Sequence, residues 1–341
     1  MKAIDRHDGL DEGACVYGAK ILAKHAKALA EEAGGLQGGG QDIELIHRAR
    51  VASRRLRATL PMFADCLPRK KSKSWLKQIG KVTKKLGDAR DSDVQIEVLE
   101  KFEAKITEEQ YRPGVSRLLL RMRQQRAELQ PSVLRAMDRL ADSKSLDEIR
   151  DRCDRLADRE NNVYLYTPAL YRHSFHAIQQ RLDTLLTFED VVPHPEASQE
   201  LHQMRIAAKW LRYTLETFAP LYTNELKIFI DSVKEIQDLL GDLHDCDVWL
   251  DFLPQFMQEE QRRTLDYLGS AEPMQALEPG LESFRADRQQ KRDNSYQTFA
   301  TRWRQWKDEA LWDKLRQTIQ VPFLQPEDIA PSPASGAESK A

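Results

Sequence analysis

The sequence predicts an all-α protein built as two four-helix bundles, related by a pseudo-two-fold axis and derived from an internal duplication. Three observations carry this. Apolar residues recur at three- and four-residue spacing along almost the whole chain, and period-two alternation is hard to find. The phrase "IHRARVASRRLRATLPMF" (Ile46 to Phe63) returns as "LHQMRIAAKWLRYTLETF" (Leu201 to Phe218), an offset of 155 residues. "LGDARDSDV" at 86–94 returns as "LGDLHDCDV" at 240–248, in the same order and at an offset of 154. A fainter echo, "RQQR" at 123–126 against "RQQK" at 288–291, follows both. Echoes in one order at one offset mark a duplicated unit, here long enough for a helical bundle.

In chain order, residues 12–160 form the first bundle and 161–322 the second, with a small-residue, Pro-rich tail at 323–341 that is expected to be disordered. The loops "GGLQGGGQD" at 34–42 and "DVVPHPEAS" at 190–198 stand just before the two copies of the basic phrase. The chain has 341 residues, a net charge of −2 and 31% charged residues, which suits long helices with solvated outer faces. The four cysteines are scattered without a C-x-x-C pair, so a disulfide framework or thiolate metal site is not expected, and a reduced cytosol is. No apolar run approaches the roughly 20 residues that cross a bilayer, and the first residues lack an apolar signal core. A soluble, cytoplasmic protein is the expectation.

On a helix turning about 100° per residue, His47, Arg50, Arg54 and Arg57 fall within an arc of roughly 80°. Ala49, Ala52, Leu56, Leu60 and Phe63 lie nearly opposite. The second copy repeats the division, with His202, Arg205, Lys209 and Arg212 on one side and Met204, Ala207, Leu211, Leu215 and Phe218 on the other. From Leu45 to Leu60 there is no carboxylate, whereas a solvated helix face normally mixes signs at i,i+4. Two matched rows of Arg, Lys and His suit a polyanion with many phosphate-like groups.

Gly87 and Gly241 read as helix C-cap glycines, and Asp88 and Asp242 as caps of the next helices. Asp91, Asp93, Asp245 and Asp247 are placed to hold arginines extended or to ligate a divalent ion, the former being favoured. Lys77, Lys81 and Lys84 share a face whose counterparts are Asp231, Glu235 and Asp238, so that face reads as solvated surface with an accessory role for Lys81 and Lys84. Arg123, Arg126, Arg288 and Lys291 of the third echo are further accessory candidates. Trp210 and Tyr213 read as packing residues.

On the strength of "HRARVASRRLR", "LGDARDSDV", "LHQMRIAAKWLRY", "LGDLHDCDV" and the closing "YQTFATRW" at 296–303, the sequence resembles the CHAD family over about residues 12–320. The resemblance implies two four-helix bundles around a basic central cleft or pore that binds inorganic polyphosphate, with association in some members with polyphosphate granules and their proteins. Carried over by position, it implies binding by His47, Arg50, Arg54, Arg57, His202, Arg205, Lys209 and Arg212, with Arg55 added. Lys209 stands where the first copy has Arg54 and offers a point charge rather than a bidentate fork. Some members carry a CYTH-type triphosphatase domain, but no E-x-E-x-K phrase occurs here, so a stand-alone binding module without catalytic residues, metal or cofactor is expected.

Two other classes were weighed. The "HD" dipeptide His244–Asp245 matches a fragment of metal-dependent phosphohydrolase motifs, but it is short and its counterpart is Arg90, and cations crowding the histidines repel a divalent ion. Nucleic-acid binding uses the same phosphate electrostatics, but the rows hold only cations and His, with nothing to read bases.

Overall fold

The computed structural model describes residues 10–37 and 43–320, which are helical throughout with no strand among them. The first half holds α1 (Glu12–Gln37), α2 (Ile43–Met62), α3 (Arg69–Glu103), α4 (Arg112–Asp142) and α5 (Ser145–Ala157). The second holds α6 (Pro168–Leu186), α7 (Ser198–Phe218), α8 (Lys227–Leu268), α9 (Glu278–Asp308) and α10 (Leu311–Ile319). Each half thus has five helices where four were expected. The fifth is short and closes its half: α5 lies back on α1, and α10 lies on α6 and α9. The tail at 323–341 and the centre of the glycine loop lie outside the described residues, while Gly34 and Gly35 are already part of α1.

Local chemistry sets several helix ends. Thr167 caps α6 by accepting from the Leu170 N–H at 3.1 Å, with Pro168 in the first turn. Gly269 ends α8 in the left-handed region at φ 71°, donating to the Leu265 carbonyl. Gly87 and Gly241 do not end helices. They sit inside α3 and α8, flanked by the buried residues Leu86 and Ala89 and Leu240 and Leu243. A glycine costs a helix interior about 1 kcal/mol, which packing of these flanking residues outweighs. Asp88 and Asp242 are accordingly not caps, and they pair instead with Lys85 at 3.5 Å and Lys291 at 3.3 Å.

The apolar arcs read from the sequence are buried in full. Ala49, Leu56, Leu60 and Phe63 of the first copy and Met204, Leu211, Leu215 and Phe218 of the second are 0% exposed. Each large side chain so buried contributes about 1.5–3 kcal/mol. These faces belong to one core that runs through both halves. A second core joins Leu99, Val115 and Leu118 of the first half to Trp249, Leu253 and Phe284 of the second.

The halves touch at equivalent positions. Phe63 meets Phe218, the matching residue of the other copy, with ring centroids 6.0 Å apart. At the α4–α9 crossing, a Cβ on Gly114 would stand 2.1 Å from the Leu277 carbonyl oxygen, and one on Gly280 would stand 2.1 Å from that of Tyr111. The two contacts are reciprocal, which is what a two-fold relation between two surfaces requires. They also fix the register of α4 against α9, both 31 residues long, at an offset of 166. The fainter echo is therefore one residue out of step: Arg126, paired to Asp93, corresponds to Arg292, paired to Asp247, and not to Lys291.

The expectation of four unpaired cysteines is corrected. Cys15 and Cys66 form a disulfide, with Cα atoms 5.3 Å apart, and Cys153 and Cys246 are free and buried. α1 and α2 pack side by side, which returns the chain after α2 to the start of α1 across 51 residues of sequence. Spacing in the sequence could not show this, and the argument for a reduced compartment from unpaired cysteines no longer holds.

The reciprocal glycines and the open one at 241 predict opposite outcomes. Gly114→Ala or Gly280→Ala should destabilise the protein by about 3 kcal/mol or more, because the clash is with backbone. Gly241→Ala, with nothing within 4 Å of its Cβ, should stabilise it by up to ~1 kcal/mol. Urea unfolding of the three variants measures both.

Candidate polyanion-binding cleft

Because α2 and α7 bury their apolar stripes in the shared core and pack against each other, their basic rows are left side by side. Lys209 reports how near they are. Burial, followed by the charges of Arg54, Arg205, Arg50 and Arg57, pulls its ammonium down from 10.5 to about 8. Three of those four arginines belong to the other half.

A cleft of about 470 Å³ opens where α2, α3, α7, α8 and α9 converge. His47, Arg50, Arg54 and Arg90 line it from the first half, and Arg205, His244, Arg288 and Lys291 from the second. Three carboxylates share it. Asp91 accepts from Arg50 at 3.1 Å, Asp242 faces Lys291, and Asp245 is held above the usual carboxylate range by burial, which Arg205 opposes. The positive charge is only partly neutralised. The Nε atoms of Arg54 and Arg205 and the Nδ1 atom of His47 are buried without a hydrogen-bond partner. A buried unsatisfied donor costs about 1–3 kcal/mol, more when charged, and an anion in the cleft would recover that cost.

The histidines are poor cations here. Burial lowers His47, and Arg90 adds to it; burial lowers His202, and Arg205 and Lys209 add to it. His202 turns toward α8, its Nδ1 3.1 Å from Nδ1 of His244, so one of the two rings must donate and the other accept. His244 is driven down to about 4 by burial, then by Arg205. At neutral pH the charge in the cleft is therefore that of its arginines and lysines.

The remaining sequence candidates divide. Arg57 is exposed beside α3, with Nε 3.9 Å from where a Gly80 Cβ would be. Arg212 stacks over the Tyr213 ring at 5.3 Å and reaches Glu216 at 3.4 Å. Arg55 is not with the row: it lines a separate pocket of about 330 Å³ beside Lys24 and His25. Burial and the Arg55 charge hold His25 down to about 4. Arg123 and Arg126 lie outside the cleft, paired with Glu100 at 2.7 Å and Asp93 at 2.6 Å, whereas Arg288 and Lys291 line it. Lys81 and Lys84 face a groove between α3 and α4.

The aspartates divide too. Only Asp91 holds a row arginine, while Asp93 and Asp247 anchor Arg126 and Arg292 to α3 and α8. The sequence reading missed two contributors. Arg90 lines the cleft from α3, in the place that His244 takes on α8. Tyr213, read as packing, is buried with Arg54 5.7 Å and Arg212 5.3 Å from its ring centre, and so braces one cation from each half. The repeat gave no signal for it, since the first copy has Ala58 there. Among the described residues, no group of three or more His, Cys, Asp or Glu is placed to hold a metal ion, and no helix is long and apolar enough to cross a membrane.

Fold and site together define an all-helical domain with a cation-lined cleft between two similar halves. The chain belongs to the CHAD family: residues 20–254 match the CHAD domain model. The structure is similar to the crystal structure of the CHAD domain from the plant Ricinus communis, at 19% identity over 94% of this chain and 96% of that one, with a TM-score of 0.56. It is also similar to PptA from Streptomyces chartreusis, at 17% identity over 87% and 100% of the two chains, TM-score 0.56. At these identities the likeness is one of fold. No curated protein matches the chain.

The crowding of Lys209 is directly measurable. In the unliganded protein its amine should titrate with a midpoint near pH 8, read by reactivity toward an acylating reagent across pH. Arg54→Met should move the midpoint up toward the ordinary lysine value. A midpoint above 10 in the wild type would show that the rows do not face one another.

Proposed function

We propose that this protein binds inorganic polyphosphate in the cleft between its two halves, without catalysing its hydrolysis. The observation that carries the reading is the convergence of Arg50, Arg54 and Arg57 with Arg205 on Lys209, beside a cleft lined by Arg50, Arg54 and Arg205 in which the Nε atoms of Arg54 and Arg205 have no partner. Such a site is costly when empty and is relieved by a flexible chain of anionic groups. Family membership supports the choice of polyphosphate. The absence of base-reading side chains in the rows disfavours nucleic acid. Association with polyphosphate granules and with the proteins on them would follow from the binding itself.

Calorimetry with orthophosphate, triphosphate, polyphosphate of dozens of units and single-stranded RNA tests this, alongside phosphate release with and without Mg²⁺. Affinity should climb with chain length as one strand engages both rows, since the second engagement is intramolecular. Arg54→Glu with Lys209→Glu should weaken long-chain binding by about 2–4 kcal/mol. Reversing Lys105, exposed in the turn after α3, and Lys314, exposed on α10, should change it little. Equal losses in the two double variants, or release of phosphate that follows the cleft residues, would overturn the reading.

Binding should also take up a proton. Free Lys209 is half deprotonated near pH 8, and a bound polyanion favours its charged form. Above pH 8 the affinity should therefore fall, by up to about tenfold per pH unit, with matching uptake seen as a buffer-dependent heat. Lys209→Arg, which stays charged, should flatten this slope while keeping affinity at neutral pH.

A further inference from the structure

A second basic groove, of about 700 Å³, runs between α3 and α4 of the first half. Five cations line it: Lys81, Lys84 and Lys85 from α3, and Arg135 and Arg139 from α4. Val82, Ala136 and Leu140 form its apolar floor. The antiparallel register of the two helices is fixed by Arg126 on Asp93 and by Ser145 donating to Gln78. In that register Lys85 comes level with Arg135 and Lys81 with Arg139, so the charges face each other across the groove.

What distinguishes this groove is that its charge is left standing. Among the described residues, Lys85 alone of the five forms an ion pair, with Asp88 at 3.5 Å. Asp138 and Asp142 of α4 do not line the groove. Further along the same pair of helices, the cleft holding Arg123 and Arg126 is lined by Asp93, Glu97 and Glu100, and its arginines are paired with two of them. In the second half, Asp231, Glu235 and Asp238 stand in the positions of Lys77, Lys81 and Lys84, and Arg302 donates to both oxygens of Glu235 at 2.7 and 2.8 Å. The unneutralised groove belongs to one half only.

It also adjoins the α2 row. Gly80, Lys84 and Gly87 lie within about 60° of one another on α3. Gly80 and Gly87 are where Arg57 and Arg50 of α2 approach, with Nε atoms 3.9 and 3.7 Å from the Cβ positions. Lys84 therefore stands between the α2 row on one side and the α3–α4 groove on the other.

We propose that this groove is a second phosphate-chain subsite. A polyphosphate strand that occupies the central cleft leaves it past Arg57, crosses α3 at Lys84, and lies against Lys81, Lys85, Arg135 and Arg139. The proposal rests on the polyphosphate reading of the cleft. It makes the protein directional: one end of the bound strand is led out over the first half, and among the described residues the second half offers no equivalent row of unpaired cations.

The test compares three proteins by calorimetry with triphosphate and with polyphosphate of dozens of units: wild type, a groove variant (Lys81→Ala, Arg135→Ala, Arg139→Ala) and a cleft variant (Arg54→Ala, Lys209→Ala). The three groove side chains are exposed, and unfolding curves check that the fold is kept. The groove variant should lose about tenfold or more in long-chain affinity and show a shallower salt dependence, while triphosphate affinity changes less than twofold. The cleft variant should lose affinity for both ligands. If the groove variant binds long chains as wild type does while the cleft variant fails, the groove proposal is overturned and the cleft reading stands. If the cleft variant binds as wild type does while the groove variant fails, the groove is an independent polyanion site and both the continuous track and the cleft reading fall. A wild type that binds neither ligand overturns both.

Discussion

Like charge held at close range in a partly dry space is the constraint that the rest of the structure meets. Burying Lys209 and setting it among four arginines lowers its pKa from 10.5 to about 8, a penalty on the order of 3 kcal/mol for one side chain. Nothing in the rows themselves offsets this. The compensation lies behind them, in the apolar stripes of α2 and α7 and in the two seams between the halves. One seam centres on Phe63 and Phe218 and the other on the close backbone crossing at Gly114 and Gly280. A core that is continuous across both halves can hold repelling cations at fixed spacing.

Carboxylates divide the work of managing the charge. Asp93 and Asp247 occupy equivalent places, and each binds an arginine of the next helix, Arg126 or Arg292, tying α3 to α4 and α8 to α9. Asp91 leans on Arg50 at the edge of the cleft. Glu260, fully buried, accepts from Arg117 at 3.0 Å and Arg121 at 2.6 Å of the other half. Burial works to raise its pKa, but hydrogen bonds from those two arginines outweigh burial and keep it charged. Arginines with such partners serve the architecture, whereas Arg54 and Arg205 keep a buried Nε without a hydrogen-bond partner.

The two halves share a plan and differ in charge. His202 turns to His244, whereas in the first half Arg90 takes the place of His244 and the Nδ1 atom of His47 has no partner, and Lys209 replaces Arg54. The outer face of α3 is basic and that of α8 acidic.

The sequence by itself determined the helical class and the polarity of the two central helices. These are local properties: apolar spacing says which face of a helix is buried, and the residues assigned to the buried faces of α2 and α7 are all in the core. It also displayed the cation rows, because charge without compensation is visible in one dimension. Tertiary structure alone decided what depends on packing between distant segments. Gly87 and Gly241 continue their helices because buried neighbours on either side outweigh a glycine's preference to end one. The register of α4 against α9, the joining of Cys15 to Cys66, the turning of Arg55 away from its row and the seating of Tyr213 between Arg54 and Arg212 each depend on which surfaces meet. So does the strain on Lys209, because this lysine is made a weak base by a fold that buries it and places other cations around it.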